Sequence, residues 1–178
     1  MSSPDTVFGM SLATFTLVHV LISLVGIASG LVVVFGLVAG KRLEGWSRLF
    51  LLTTVATSVT GFGFPFDHLL PSHKVGFISL AVLAVAIAAR YAFHLRGAWR
   101  HVYVVCAVLA LYLNVFVGVV QAFVKVPALN ALAPHQTEPP FVVSQGVVLV
   151  SFVILAIVAA IRFRGEQMGS GGAQTGGR

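Results

Sequence analysis

Long apolar blocks separated by short polar connections dominate the chain. Five are readable, at about 9–39, 48–66, 75–96, 102–125 and 141–163. An α-helix needs roughly 20 residues to cross about 30 Å of hydrocarbon. The pattern predicts an all-α integral membrane bundle of five transmembrane helices over 9–163. A short extracytoplasmic N-terminus (1–8) precedes it, and a Gly-rich cytoplasmic tail (164–178) with nothing to bury is expected to be disordered.

The second block, "RLFLLTTVATSVTGFGFPF", is diluted by Thr, Ser and Gly, so positive charge has to decide whether it crosses. With five spans, Lys41, Arg42, Arg48, Arg90, Arg96, Arg100, Arg162, Arg164 and Arg178 share one side, leaving Lys74 and Lys125 opposite. With four spans the bias disappears. Basic residues stay cytoplasmic, which favours five crossings with the N-terminus outside and the C-terminus inside. The N-terminus "MSSPDTVFGM" has no basic n-region, so the first span is expected to be retained.

At about 100° per residue, His19, Ser23, Gly26 and Gly30 fall on one stripe of the first helix. With Gly36 and Gly40 they supply the small residues through which membrane helices approach closely, so His19 is expected to face protein. On the second helix Thr53, Thr54, Thr57, Ser58, Thr60 and Gly61 share one half, with Leu52, Val55, Val59 and Phe62 towards lipid. The ordinary role of such hydroxyls is to bond to carbonyls one turn earlier. On the fourth helix Asn114, Gly118, Gln121 and Lys125 share an arc. A buried amide needs a partner.

By residue count from the span ends, His19 and Asn114 reach similar depth. This predicts an outward-opening polar pocket floored by His19, Asn114, Gln121, Thr57 and Thr60 and rimmed by Asp67, His68, His73, His135 and Glu138. Ser23, Gly26, Gly30, Gly36, Gly40 and Gly118 would pack the helices. Arg90 is expected to snorkel towards the cytoplasmic interface. An ionisable ring inside a membrane points to function, although a neutral His19 bonded to Asn114 or a threonine is the structural alternative.

Composition narrows the chemistry. Charged residues are 9% of the chain against 58% hydrophobic, where soluble domains carry about 25% charged. The net charge of +6 sits in short connections, as topology requires, which excludes a nucleic-acid partner. The lone Cys106 allows no disulfide or CxxC motif. Bis-histidine haem needs two imidazoles at one depth, and His19 has no match. His68, His73 and His135 are the candidate metal ligands, without a recognised spacing. No phosphate-binding loop, G-x-S-x-G or H-E-x-x-H is present, so an enzyme is not favoured and no cofactor is assigned.

In its hydropathy, and in "FPF…LLPSH" and "LYLNVFV", the chain resembles small multi-pass membrane proteins of bacteria that have no assigned activity. The resemblance implies a bundle in the bacterial inner membrane and brings no site residues. The leading expectation is a ligand-binding or accessory membrane subunit, in contact with the bilayer and with a membrane-protein partner or a second copy. A proton-coupled small-solute carrier using His19, a metal- or haem-binding redox subunit and a structural or assembly protein remain open.

Overall fold

The computed structural model describes residues 6–7, 9–64 and 71–163, without the side chains of 71–73. Asp67, His68 and the tail at 164–178 lie outside the described residues, as does the side chain of His73. The described chain is helical apart from a two-stranded hairpin, β1 (Thr6–Val7) against β2 (Met10–Ser11). The helices are α1 (Leu12–Val38), α2 (Glu44–Gly61), α3 (Pro71–Ile87), α4 (Trp99–Lys125), α5 (Pro127–Leu132) and α6 (Pro139–Arg162), with a π-helical turn at Ala88–Ala92.

Among the described residues four segments are long and apolar enough to cross a membrane: Leu12–Val38, Lys74–Ala92, Trp99–Lys125 and Pro139–Arg162. The second sequence block forms α2, of 18 residues, whose eight Ser, Thr and charged side chains keep it outside that class. It nevertheless runs antiparallel to α1 along its whole length. His19 meets Thr60, Gly26 meets Thr53 and Thr54, and Gly30 meets Phe50.

Local chemistry sets the helix ends. Ser11 caps α1, its hydroxyl accepting from the Thr14 N–H at 3.2 Å. At the other end Gly40, with φ +72°, lets its N–H reach the Leu37 carbonyl at 3.0 Å while the Lys41 N–H reaches Gly36 at 2.8 Å. This paired closure needs a left-handed residue that glycine supplies without strain. Pro127 opens α5 and Pro139 and Pro140 open α6, at first-turn positions where a missing N–H costs nothing. Asn130 Nδ2 donates to the Phe123 carbonyl at 3.2 Å, folding α5 back on the end of α4.

Apolar burial gives helices no drive to associate inside lipid, so close packing must supply it. The α1 stripe does this. A Cβ on Gly30 would sit 2.6 Å from Leu111 Cδ1 and 2.8 Å from the Phe50 ring, and one on Gly36 would sit 2.6 Å from Leu43 Cδ1. At Gly118 the nearest atom, Ile27 Cδ1, is 3.6 Å away, an ordinary contact. Val33, Val34, Leu37, Phe50, Leu83, Tyr103, Val104 and Leu111 form the core around this seam. Phe62, expected to face lipid, is half-buried instead, because its ring fills the notch over Gly76 and packs 4.7 Å from Phe77. α6 keeps a broad apolar face uncovered, including Val143, Val147, Val150 and Ile161.

One end of the bundle gathers Gly40, Glu44, Arg90, Tyr103 and Arg162, as the Gly40–Arg162 and Glu44–Arg90 contacts show. It is the basic end. The opposite end carries the start of α1, the end of α2 and the α5–α6 connection.

Candidate functional site: a polar seam between α1, α2 and α4

The small-residue stripe of α1 faces the hydroxyl stripe of α2. At the end remote from the basic cluster, His19 Nδ1 lies 2.8 Å from Thr60 Oγ1. Thr60 directs its own proton to the Ala56 carbonyl at 2.7 Å, with Thr57 O at 3.2 Å. A hydroxyl has one proton, so Nδ1 is the donor in the His19–Thr60 bond. This fixes the neutral ring as the Nδ1–H tautomer and leaves the Nε2 lone pair without a bond among the described residues. Phe64 packs edge-on against the His19 ring at 5.1 Å.

Two turns along α1, the surface above Gly26 is polar on its far side. A Cβ built there would have Asn114 Nδ2 at 3.1 Å, Thr53 Oγ1 at 3.3 Å and Thr54 Oγ1 at 3.4 Å, so α2 and α4 converge on one point of α1. The antiparallel register sets Ser23 and Thr57 at the level between this point and His19. The expected pairing of His19 with Asn114 at one level does not form. Asn114 is opposite Gly26, about 10 Å further along α1 at 1.5 Å per residue.

Most hydroxyls here follow the ordinary rule. Ser23 donates to His19 O at 2.7 Å, Thr53 to Leu49 O at 2.7 Å and Ser58 to Thr54 O at 2.9 Å. Ser58 and Ser79 also meet across α2 and α3 at 3.0 Å. Three seam atoms depart from it: Thr54 Oγ1, Thr57 Oγ1 and Asn114 Nδ2 are buried and have no hydrogen-bond partner among the described residues. Each such atom costs about 1–3 kcal/mol, and native proteins contain few of them. Their concentration in one seam is the site's most informative feature.

Of the remaining expected residues, Gln121 is exposed and stands away from this convergence. Gly118 packs on Ile27 beside it. His135 and Glu138 belong to the α5–α6 connection at the same end of the bundle as His19. There Glu138 is the residue before α6, and its carboxylate folds back on the connection, accepting from the N–H of His135 at 3.1 Å and of Thr137 at 3.0 Å. Slight desolvation opposes ionisation of Glu138, but these backbone donors, its own N–H and the His135 ring prevail and hold the carboxyl below its ordinary value. Among the described residues no three His, Cys, Asp or Glu side chains gather as a metal would require.

Arg90 corrects the sequence reading. It does not snorkel. It continues the buried Ser79–Leu83–Ala86 face of α3, is itself 5% exposed and lies within the π-helical turn. Its Nη2 lies 2.7 Å from Glu44 Oε2 and its guanidinium sits 5.1 Å from the Tyr103 ring centroid. The i, i+4, i+7, i+11 spacing of Ser79, Leu83, Ala86 and Arg90 was the signal for this burial. Glu44 as the partner had no local signal, because it lies on another helix.

No family model matches the chain, and neither a curated protein nor a solved structure matches it.

Proposed function

We propose that this chain is a five-span protein of the bacterial inner membrane, N-terminus outside, that binds a small neutral hydrogen-bonding molecule in the α1–α2–α4 seam. The single observation behind the reading is the set of three buried polar atoms without partners among the described residues, Thr54 Oγ1, Thr57 Oγ1 and Asn114 Nδ2. A ligand or bound water supplying both a donor and an acceptor would satisfy them, and the seam's His19, threonines and amide carry no fixed charge for a charged ligand to pair with. The antiparallel α1–α2 register supports α2 as the fifth crossing, with the excess of positive charge at the Gly40 end inside. His135 and Glu138 would then stand at the outer mouth. Lipid, a second copy or a partner subunit would cover the α6 face.

The sign of a stability change tests the binding reading. An empty seam leaves Thr57 Oγ1 unsatisfied, so Thr57→Val should stabilise the protein by about 1 kcal/mol. An occupied seam makes the same substitution destabilising and lowers retention of the small molecule during purification in mild detergent, read by mass spectrometry of the intact complex. Stabilisation by Thr57→Val in protein freshly extracted from its membrane refutes the binding site. Reporter fusions placing both ends of the chain in one compartment refute the five-span topology.

A second reading has its own support. The Nε2 lone pair of His19, without a bond among the described residues and held in one tautomer by Thr60, suits a proton acceptor in a proton-coupled carrier. Solute uptake whose pH dependence survives His19→Ala removes it.

A further inference from the structure

The seam makes no use of the most costly polar group in the bundle, the buried guanidinium at its basic end. Arg90 presents five N–H donors in a rigid fork, with a side chain 3% exposed. Its one anionic partner, Glu44, touches Nη2 through a single carboxylate oxygen at 2.7 Å. Glu44 engages Nη2 alone, Nε has no partner among the described residues, and the fully buried Tyr103 hydroxyl has only Ser47 and Arg90 itself as polar neighbours there. Tyr103 lies directly under the guanidinium, with Tyr91 on the same cation at 5.9 Å. Two residues more than nine-tenths buried therefore bring incompletely paired donors together in one place. The carboxylate that partly fills it is 56% exposed and free to leave.

A guanidinium fork with an adjacent hydroxyl matches an oxyanion that offers two oxygens side by side and a third beyond. A single-point carboxylate uses that fork poorly. Lys41, Arg42, Arg48, Arg96 and Arg162 are all exposed on the segments that meet at this end, and they raise the local concentration of anions. A π-helical turn carrying a buried cation is also a geometry that recurs at functional sites.

We propose that Arg90 and Tyr103 form a receptor for a phosphate group and that the Glu44 carboxylate is its resident stand-in when no phosphate is bound. The phosphate chemistry is common to an anionic phospholipid headgroup and to free phosphate. At the basic end of a membrane bundle, a lipid reaches the site from the side and a free ion reaches it from the water.

The test uses the full chain purified in detergent, stripped of lipid and titrated separately with phosphatidylglycerol, phosphatidylcholine and inorganic phosphate. Bound anion is read by mass spectrometry of the intact complex. Phosphatidylglycerol binding well above phosphatidylcholine supports the receptor with a lipid occupant, and inorganic phosphate binding alone supports it with a free one. Glu44→Gln removes the competitor and no donor, so it should tighten binding of whichever anion is taken by about threefold or more. Tyr103→Phe should weaken it about two- to tenfold. Arg90→Gln should abolish it. Binding that is unchanged or weaker in Glu44→Gln overturns the stand-in role even if the Arg90 variant fails to fold. Binding of neither anion overturns the receptor.

Discussion

Replacing Gly30 with alanine tests the packing that places the seam. The added methyl would lie 2.6 Å from Leu111 Cδ1 and 2.8 Å from the Phe50 ring, where ordinary contacts are 3.4 Å or more. Both neighbours are fully buried, so neither can swing aside. Overpacking of this kind costs about 1–3 kcal/mol. Alanine also gains about 0.8–1.0 kcal/mol of helix propensity over glycine, which blurs the net effect of a single variant. Gly118→Ala cancels that gain: it is also mid-helix, but its methyl would meet only Ile27 Cδ1, at 3.6 Å. The difference between the two variants isolates the clash, and Gly30→Ala should be less stable than Gly118→Ala by about 1–3 kcal/mol. Reversible unfolding in mixed micelles of mild detergent and SDS measures it, with helicity as the signal. About 1.4 kcal/mol corresponds to a tenfold change in the folded-to-unfolded ratio, so the shift is readily resolved. Equal stability of the two variants would falsify the close α1–α2–α4 contact at Gly30.

Thr60→Val should cost about 1 kcal/mol by removing the acceptor of His19 Nδ1 at 2.8 Å. It should also release the ring to populate both tautomers, visible in its nitrogen chemical shifts; a ring that keeps the Nδ1–H tautomer refutes the assignment. Gly76→Ala should cost less than Gly30→Ala, although its methyl would lie 2.9 Å from the Phe62 ring. Phe62 is only half-buried and can yield, so an equal loss in the same unfolding assay would count against this packing. The Glu138 carboxyl is held below its ordinary value of 4.5, so its contribution to the α5–α6 connection is complete above that value. It is lost as pH falls through the lower folded value. Amide exchange at His135 and Thr137, corrected for the intrinsic pH dependence, should accelerate in that acidic window, and unchanged protection there refutes these bonds.

The extent of the fold legible in the sequence follows from what lipid demands. Hydrocarbon satisfies no backbone group, so each apolar block has to close its own hydrogen bonds as a helix. The block at 102–125 accordingly became α4, Trp99–Lys125, within three residues at its start. The glycine stripe of α1 was readable for the same reason: only small residues on one face allow helices to touch, and Gly26, Gly30 and Gly36 occupy the contact. α2 carries a clear polar face but ambiguous hydropathy, since its hydroxyls dilute the apolar average while facing protein.

Partners across helices were not legible. His19 selected Thr60, and Asn114 came to Gly26, because the relative slide of antiparallel helices depends on how Gly30, Phe50 and Leu111 interlock. No local spacing encodes that. The polar faces of α1, α2 and α4 were each written into their own helix by a period of 3.6 residues. Tertiary packing decided which atoms on those faces would be satisfied, leaving Thr54, Thr57 and Asn114 unpaired and pairing Arg90 with Glu44. Periodicity is a property of one helix and survives in the sequence. Register is a property of two, and it exists only once their side chains meet.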